Sequence, residues 1–295
     1  MAEIKPMLLK EELYSEGIFN QYKDWICQIK ENGVFSIIHI KDNKIVGIRN
    51  RSNNPIFYLY PELEDIKFKF KEGILIAEIA VFRDIYIDIE TGRELTTEDM
   101  SNLPRGAIKI TKSSFYGDRY RGIPGIDQRR SRKVDADNSV TIVAHDILKL
   151  DNQVTINLPY HKRYELLCQN IEDTDKIKIA KNYKINELWD KVVKENLEGM
   201  VMKNPNAGYQ LGIRSNDYIK VKNYKDTEVV VENTEENPKG IKIFGTSTIN
   251  GETIKIECQM GGNFNINVGE TIKVTYLDIC NRRLIQPHIK NGNAN

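Results

Sequence analysis

The chain lacks most features that announce metal sites, secretion or membranes. Its four cysteines, Cys27, Cys168, Cys258 and Cys280, are scattered over 295 residues and form no CxxC pair. That spacing gives no zinc signature and no disulfide framework. No apolar run approaches the roughly 20 residues that span a bilayer. The opening stretch, MAEIKPMLLKEEL, carries acids and has no long apolar centre, so it does not read as a signal peptide. Internal repeats and low-complexity segments are also missing. Net charge is nearly absent: 43 basic and 42 acidic residues leave +1. A polyanionic partner would have to be met by local segregation of charge. What is present is 40% hydrophobic and 29% charged residues, a core-forming composition. These features predict a soluble protein of a reducing, cytoplasmic compartment.

The pattern along the chain predicts an α+β fold with mostly antiparallel sheets. VFSIIHI and KIVGIR, joined by Asp42-Asn43-Lys44, read as a hairpin. Residues 73–82 and 142–152 read as buried strands. Helical spacing over 158–171 puts Tyr164, Leu167 and Ile171 on one side, with Leu166 adjoining. A second amphipathic helix is predicted over 184–199, with Gly199 as its cap. After about Lys225 helical patterns vanish, and TEVVVEN, IKIFGTSTING, TIKIECQMG and TIKVTYLDI follow with Gly/Asn turns between them. That spacing suggests a small barrel, most economically an OB fold. The division expected is therefore residues 1–224 and 225–295, with residues 290–295 frayed.

One segment is out of balance. Between Arg105 and Lys133 lie Arg105, Lys109, Lys112, Arg119, Arg121, Arg129, Arg130, Arg132 and Lys133, opposed only by Asp118 and Asp127. Tyr116 and Tyr120, with four glycines, make it read as a loop or short helix. It is either a solvated basic loop or a surface for a phosphate backbone.

Four stretches are chemically odd. Lys30 in CQIKENGVF ends an apolar run just before the turn-forming Glu31-Asn32-Gly33. Glu78 sits inside the apolar run ILIAEIAVF, where a carboxylate needs a partner. LEGMVMKN places Glu198, Gly199 and Lys203 around an apolar triplet. DYIKVKNY places Lys220 and Lys222 on one strand face, a repulsive pair unless an anion lies between them. Taken singly, each has an ordinary explanation: a strand-end lysine, a structural ion-pair partner, a solvated strand face. Together they call for a ligand with several negative charges and ribose hydroxyls, which a nucleoside triphosphate supplies.

The ordered set KENG, RSNN, AEIAVF, AHDILKLDN, LEGMVMKN and DYIKVK resembles the covalent nucleotidyltransferases, specifically the ATP-dependent DNA ligases. PMLLKEEL and LPYHKRYELL are also similar to stretches common in these ligases, so the resemblance covers most of the chain. It implies an ATP-grasp-like nucleotidyltransferase domain with antiparallel sheets, followed by the OB-fold domain. It implies that Lys30 takes AMP from ATP as a phosphoramide. A lysine attacks only as the neutral amine, and its reference pKa is about 10.4. Lys220, Lys222 and partial desolvation are expected to lower it. By the same resemblance Lys220 and Lys222 hold the α-phosphate and act in catalysis, Glu78 binds ribose, and Arg51 contacts phosphate or ribose. Glu198 is the carboxylate linked to a metal, Mg²⁺. Gln28, Ile29 and His145 line the nucleotide site, with His145 stacking on the base. Arg163 matches an arginine frequent in these ligases.

Departures from the family pattern are also visible. Asn32 stands where the family has aspartate, and Phe35 where arginine is common. His145, before Asp146, replaces an aromatic. The basic C-terminal motif is reduced to L-x-x-P and Lys290, so Arg282 or Arg283 is a candidate substitute. Cys27 reads as small packing beside the lysine. The resemblance implies nicked double-stranded DNA as partner, with no membrane and a monomeric enzyme of cytoplasmic or phage origin. With no room for the large helical domain of bigger relatives, Arg49, Arg105, Arg119, Arg121, Arg129, Arg130 and Arg132 are the expected DNA contacts. The rivals are an RNA ligase, a capping guanylyltransferase, and a non-catalytic nucleic-acid-binding relative.

Overall fold

The computed structural model describes residues 4–90, 94–95, 99–114, 140–249, 251–261, 265–280 and 283–289. The chain divides into two compact units, Met1–Val221 and Lys222–Asn295. The first contains strands β1 (Leu8–Glu12), β2 (Ile26–Ile29), β3 (Val34–Lys41), β4 (Lys44–Arg49), β5 (Gly73–Asp88) and β6 (Ala107–Ser114). It continues through β7 (Val140–Leu150), β8 (Gln153–Val154), β9 (Ile177–Ile179), β10 (Gly199–Lys203) and β11 (Arg214–Lys222), whose last residue opens the second unit. Its helices are α1 (Glu16–Gln21), α2 (Tyr160–Asn170) and α3 (Ile185–Lys194).

These strands form two sheets. A four-stranded sheet has the order β1-β11-β10-β2. A seven-stranded sheet runs β4-β3-β5-β7-β8, with β6 on β5 and β9 on β7. Alternation along β3 and β5 explains the layering. Ile38, Leu75 and Ala77 face one core with Leu167 of α2 and Ile171 just after it, while Ile37 and Ile76 face the other way. That second layer gathers Met7, Leu148, Tyr160, Tyr209 and Tyr218 and lies between the two sheets. The outer face of the small sheet is covered by α3 through Ile185, Leu188, Trp189 and Val192. This i, i+3, i+4, i+7 stripe is the signature of a half-buried helix.

Local chemistry sets the boundaries. Asp42 and Asn43 both take left-handed backbone angles (φ 50° and 65°), as a two-residue hairpin turn demands. Helix α3 stops at Lys194 rather than running to Gly199. Asn196 adopts φ 50°, and the Leu197 N–H donates to the Val192 carbonyl at 2.9 Å. That is a left-handed cap closed by an apolar contact, made with asparagine instead of glycine. Gly199 instead begins β10. The basic segment also differs from a simple loop, because residues 107–114 are strand β6. Its cations meet acids from elsewhere: Lys109 pairs with Asp84 (2.8 Å), and buried Lys112 pairs with Glu94 (3.2 Å). Residues 115–139 and 290–295 lie outside the described residues.

The second unit is one seven-stranded sheet. It comprises β12 (Lys225–Asn237), β13 (Gly240–Ile249), β14 (Glu252–Met260), β15 (Thr271–Tyr276), β16 (Asp278–Cys280), β17 (Arg283–Ile285) and β18 (His288–Ile289). The long β12 pairs with β13 and β15 and has a bulge between Val231 and Asn233. Val229, Val231, Ile243, Cys258 and Val274 form its core.

Candidate active site

Lys30 follows β2, where the chain leaves the small sheet for β3 of the large one. Its N–H donates to the Gly199 carbonyl (2.9 Å), placing it opposite the start of β10. The ammonium Nζ meets Glu198 Oε1 at 2.6 Å, with the lysine side chain about 21% exposed. Gly33 completes the turn against β5. A Cβ there would collide with the Ile79 carbonyl and touch Glu78 Cγ, so the close approach requires glycine.

Two more carboxyls surround this amine. Glu78 lies on β5 opposite Phe35, on the face shared with Ile76. Burial pushes its pKa up to about 8. The Lys30 charge opposes that rise and Glu198 adds to it. Burial likewise pushes Glu31 up to about 7, partly offset by its hydrogen bond to the Ser113 hydroxyl. Glu78 is therefore mostly a neutral acid at pH 7, able to donate a hydrogen bond as well as accept one. Arg51, whose guanidinium lies 5.1 Å from the centre of the Phe35 ring, also acts on Glu78.

A second group of residues is built around Tyr160. Gln28 is 1% exposed, and its Nε2 reaches the Tyr160 hydroxyl (2.9 Å), the Ala180 carbonyl (3.0 Å) and Asn182 Oδ1 (2.9 Å). Its Oε1 is buried with no protein partner. Lys203 donates to the His145 carbonyl (3.2 Å) and the Tyr160 hydroxyl (3.3 Å), and sits 4.4 Å from the Tyr160 ring centre. Burial lowers Lys203 to about 7. His145 occupies a bulge: β7 sets Asp146 opposite Ile76 but Ala144 opposite Ala77, which leaves His145 out of register. Such an extra residue re-aims its side chain. Burial, then the Lys203 and Lys30 charges, lower His145 to about 3, so it is a neutral ring.

Beneath this lies a knot of buried charge. Arg163 is fully buried and binds Asp146 through Nε–Oδ1 (2.7 Å) and Nη2–Oδ2 (2.9 Å). It also donates to the Tyr218 hydroxyl (2.7 Å) and to the Leu158 and Ala207 carbonyls. The match to a family arginine therefore falls on a residue that fixes α2 to both sheets.

The structure brings Lys30, Glu78, Glu198, Arg51, Gln28 and His145 into one neighbourhood of the first unit. Other expected positions differ. The Ile29 side chain packs with the outer core beside α3, so only its backbone can face the inter-sheet layer. Lys220 follows Tyr218 on the strand face opposite Ile219 and pairs with Glu11 at 2.8 Å. Lys222 donates to Gln286 Oε1 (2.7 Å) within the second unit. Arg49 donates to the Asn53 carbonyl (2.8 Å), Arg105 is exposed, and Arg283 pairs with Glu257 (3.0 Å). Arg119, Arg121, Arg129, Arg130, Arg132, Arg282 and Lys290 lie outside the described residues. Cys27 is buried packing, its thiol pushed up to about 12 by burial. Sequence reasoning passed over Glu31, Ser113, Tyr160 and Tyr218. Glu31 sat inside the quoted motif, whereas Ser113 carries no local signal, being 81 residues from its partner Asn32.

The fold itself defines a class. It is similar to the fold of mycobacterial DNA ligase D, solved in complex with ATP and MES. That match has a TM-score of 0.53 and 16% identity, covering 98% of this chain and 96% of the other. It also matches a minimal-scaffold Lig E DNA ligase with a TM-score of 0.60 and 12% identity, covering 99% of each chain. The chain belongs to the ATP-dependent DNA ligase domain family, whose model matches residues 6–222. A probable DNA ligase of Dictyoglomus thermophilum is 34% identical over 232 residues, 74% of this chain and 34% of that protein. The chain thus spans about a third of that relative's length. The SPbeta prophage-derived DNA ligase-like protein LigB of Bacillus subtilis is 26% identical, with 77% and 70% covered.

Proposed function

We propose that this chain is an ATP-dependent DNA ligase acting on 5′-phosphate/3′-hydroxyl nicks in duplex DNA. The observation that carries this reading is the Lys30 amine, held 2.6 Å from Glu198 at the edge of the inter-sheet layer beside Glu78. The ammonium first loses a proton and leaves its ion pair. The amine then attacks the α-phosphorus of ATP. The Nζ–P bond forms, the bond to the bridging oxygen breaks, and pyrophosphate departs. AMP passes to the 5′-phosphate of the nick, and the 3′-hydroxyl displaces it to make the phosphodiester.

The other residues fit roles in this sequence. Glu78 and Arg51 face ribose and phosphate. Gln28 suits adenine: its amide hydrogens are committed to protein acceptors, leaving Oε1 to accept from an amino group. Adenine has an amino group where guanine has a carbonyl, and a polar pairing left unmade is costly. His145, neutral and flat, suits stacking. Lys220 and Lys222 are the cations for the α-phosphate, Lys220 exchanging its Glu11 partner for phosphate.

Among the described residues no group of three His, Cys, Asp or Glu side chains could hold a metal alone. Mg²⁺ commonly takes one or two carboxylates plus substrate phosphates, and Glu198 fits that donor set. When bound it would neutralise phosphate charge. We assign 1–224 as the nucleotidyltransferase domain and 225–295 as an OB fold. The long, bulged β12 shared between β13 and β15 supports the latter. The basic residues between Arg105 and Lys133 are the proposed DNA contacts, and the chain acts as a monomer. No helix among the described residues is long and apolar enough to cross a membrane.

The test is sealing of a labelled nicked duplex on a denaturing gel. Joined product with ATP, absent with GTP and absent without a 5′-phosphate, is expected. Guanylylation with GTP, or no joined DNA under any nucleotide, would contradict the reading.

A further inference from the structure

The Lys30–Gly33 turn crosses from one sheet to the other and is held on both. The Lys30 N–H is tied to Gly199 of the small sheet (2.9 Å). On the other side the Asn32 N–H donates to Ser113 Oγ at 2.8 Å, and the Ser113 hydroxyl bonds the Glu31 carboxyl. Ser113 lies on β6, opposite Phe82 of β5. One hydroxyl thus accepts from the turn's backbone and donates to its acidic side chain. The family's aspartate is missing at Asn32, but a carboxyl is present one residue earlier, at Glu31. It shares its surroundings with Lys30 and Glu198, with Glu78 of β5, and with Lys178 of β9.

We propose that Ser113 is a positioning residue for the nucleophile, clamping the turn through Asn32 and Glu31 so that Lys30 is aimed for attack, with Glu31 standing in for the missing aspartate. This rests on the lysyl-nucleotide reading above. Without the clamp, Gly33 still seats the turn on β5, but the two residues after Lys30 lose their hold on the large sheet. The loss falls on alignment for attack, not on ATP affinity, because the Ser113 hydroxyl is engaged by the turn itself. A misplaced nucleophile slows the chemical step while leaving ground-state binding intact.

The experiment is single-turnover formation of the lysyl-AMP adduct, followed by mass at several ATP concentrations. Ser113→Ala should react about tenfold slower, the effect of about 1.4 kcal/mol, with half-saturating ATP within about twofold of the parent. Ser113→Thr, which keeps the hydroxyl, should restore the rate to within about threefold. Glu31→Ala should slow the step comparably, and Glu31→Ala/Ser113→Ala should be no slower than either single change, because both break one clamp. If Ser113→Ala does not fold, Ser113→Cys serves in its place. A parent-like rate in Ser113→Ala, a Ser113→Thr as slow as Ser113→Ala, or a defect seen only as weaker ATP binding would overturn the clamp. If the parent forms no adduct at all, the lysyl-nucleotide reading falls, and the clamp with it.

Discussion

Two charged groups lie in the same inter-sheet layer and are built in opposite ways. In the Asp146–Arg163–Tyr218 knot, both carboxylate oxygens accept from the guanidinium, whose remaining donors reach the Tyr218 hydroxyl and two backbone carbonyls. Around Lys30, three carboxyls crowd one amine, and burial holds two of them partly or mostly protonated near neutral pH. The contrast separates architecture from chemistry. A buried charge that is fully paired fixes geometry. A cluster whose carboxyls are held protonated near neutral pH, one with its pKa raised to about 8, is poised for a ligand. Lys203 falls between the two: caged by aromatic rings and donating to His145 and Tyr160, with burial lowering it to about 7.

Changing one member of each group should separate them, and the largest effect is on chemistry. Lys30→Arg should abolish adduct formation, a rate loss of at least about 10⁴-fold, while the melting temperature stays within a few degrees of the parent. Intact mass and calorimetry check the two halves. Arg163→Ala should do the reverse: leaving Asp146 buried and unpaired should cost about 3–5 kcal/mol of stability, read by urea unfolding. Whatever folds should still take up AMP.

Smaller effects concern protons. Lys203 is lowered to about 7 in the folded chain, so the unfolded chain binds more protons between about pH 7 and its ordinary value. Its contribution to stability therefore grows as pH rises through that window. Lys203→Met should be most stable relative to the parent below pH 7 and lose that advantage by pH 10. Glu78 runs the other way: its pKa is raised to about 8, so the folded chain binds more protons between about pH 4.5 and 8, and stability declines across that window. Glu78→Gln should gain melting temperature relative to the parent as pH rises from 5 to 9. A flat difference in either series would place those groups in water rather than in the core.

Much of this was readable from residue order. The turn at 42–44 between VFSIIHI and KIVGIR assigned the hairpin, the apolar run 73–82 assigned a buried strand, and the placement of Lys30, Glu78 and Glu198 in ordered motifs located their cluster. What escaped is what depends on distant partners. The basic run was read from its own acids, Asp118 and Asp127. Lys109 and Lys112 are instead matched by Asp84 and Glu94, from a neighbouring strand and its return. Helix α3 ended early because asparagine, not glycine, took the left-handed cap. His145 owes its aim to a bulge that shows only in the pairing of β7 with β5. Ser113 and Tyr160 touch the candidate site across 81 and 132 residues of chain, where no local pattern points.

The central claim is that Lys30 is the residue that becomes covalently joined to the nucleotide. The direct measurement is peptide mapping by mass spectrometry after incubation with Mg²⁺ and ATP, following pyrophosphate treatment to strip any nucleotide already bound. The account predicts one AMP per chain on the peptide containing Lys30, and no adduct in Lys30→Arg. An AMP on any other lysine, or a chain that never gains mass, would contradict it.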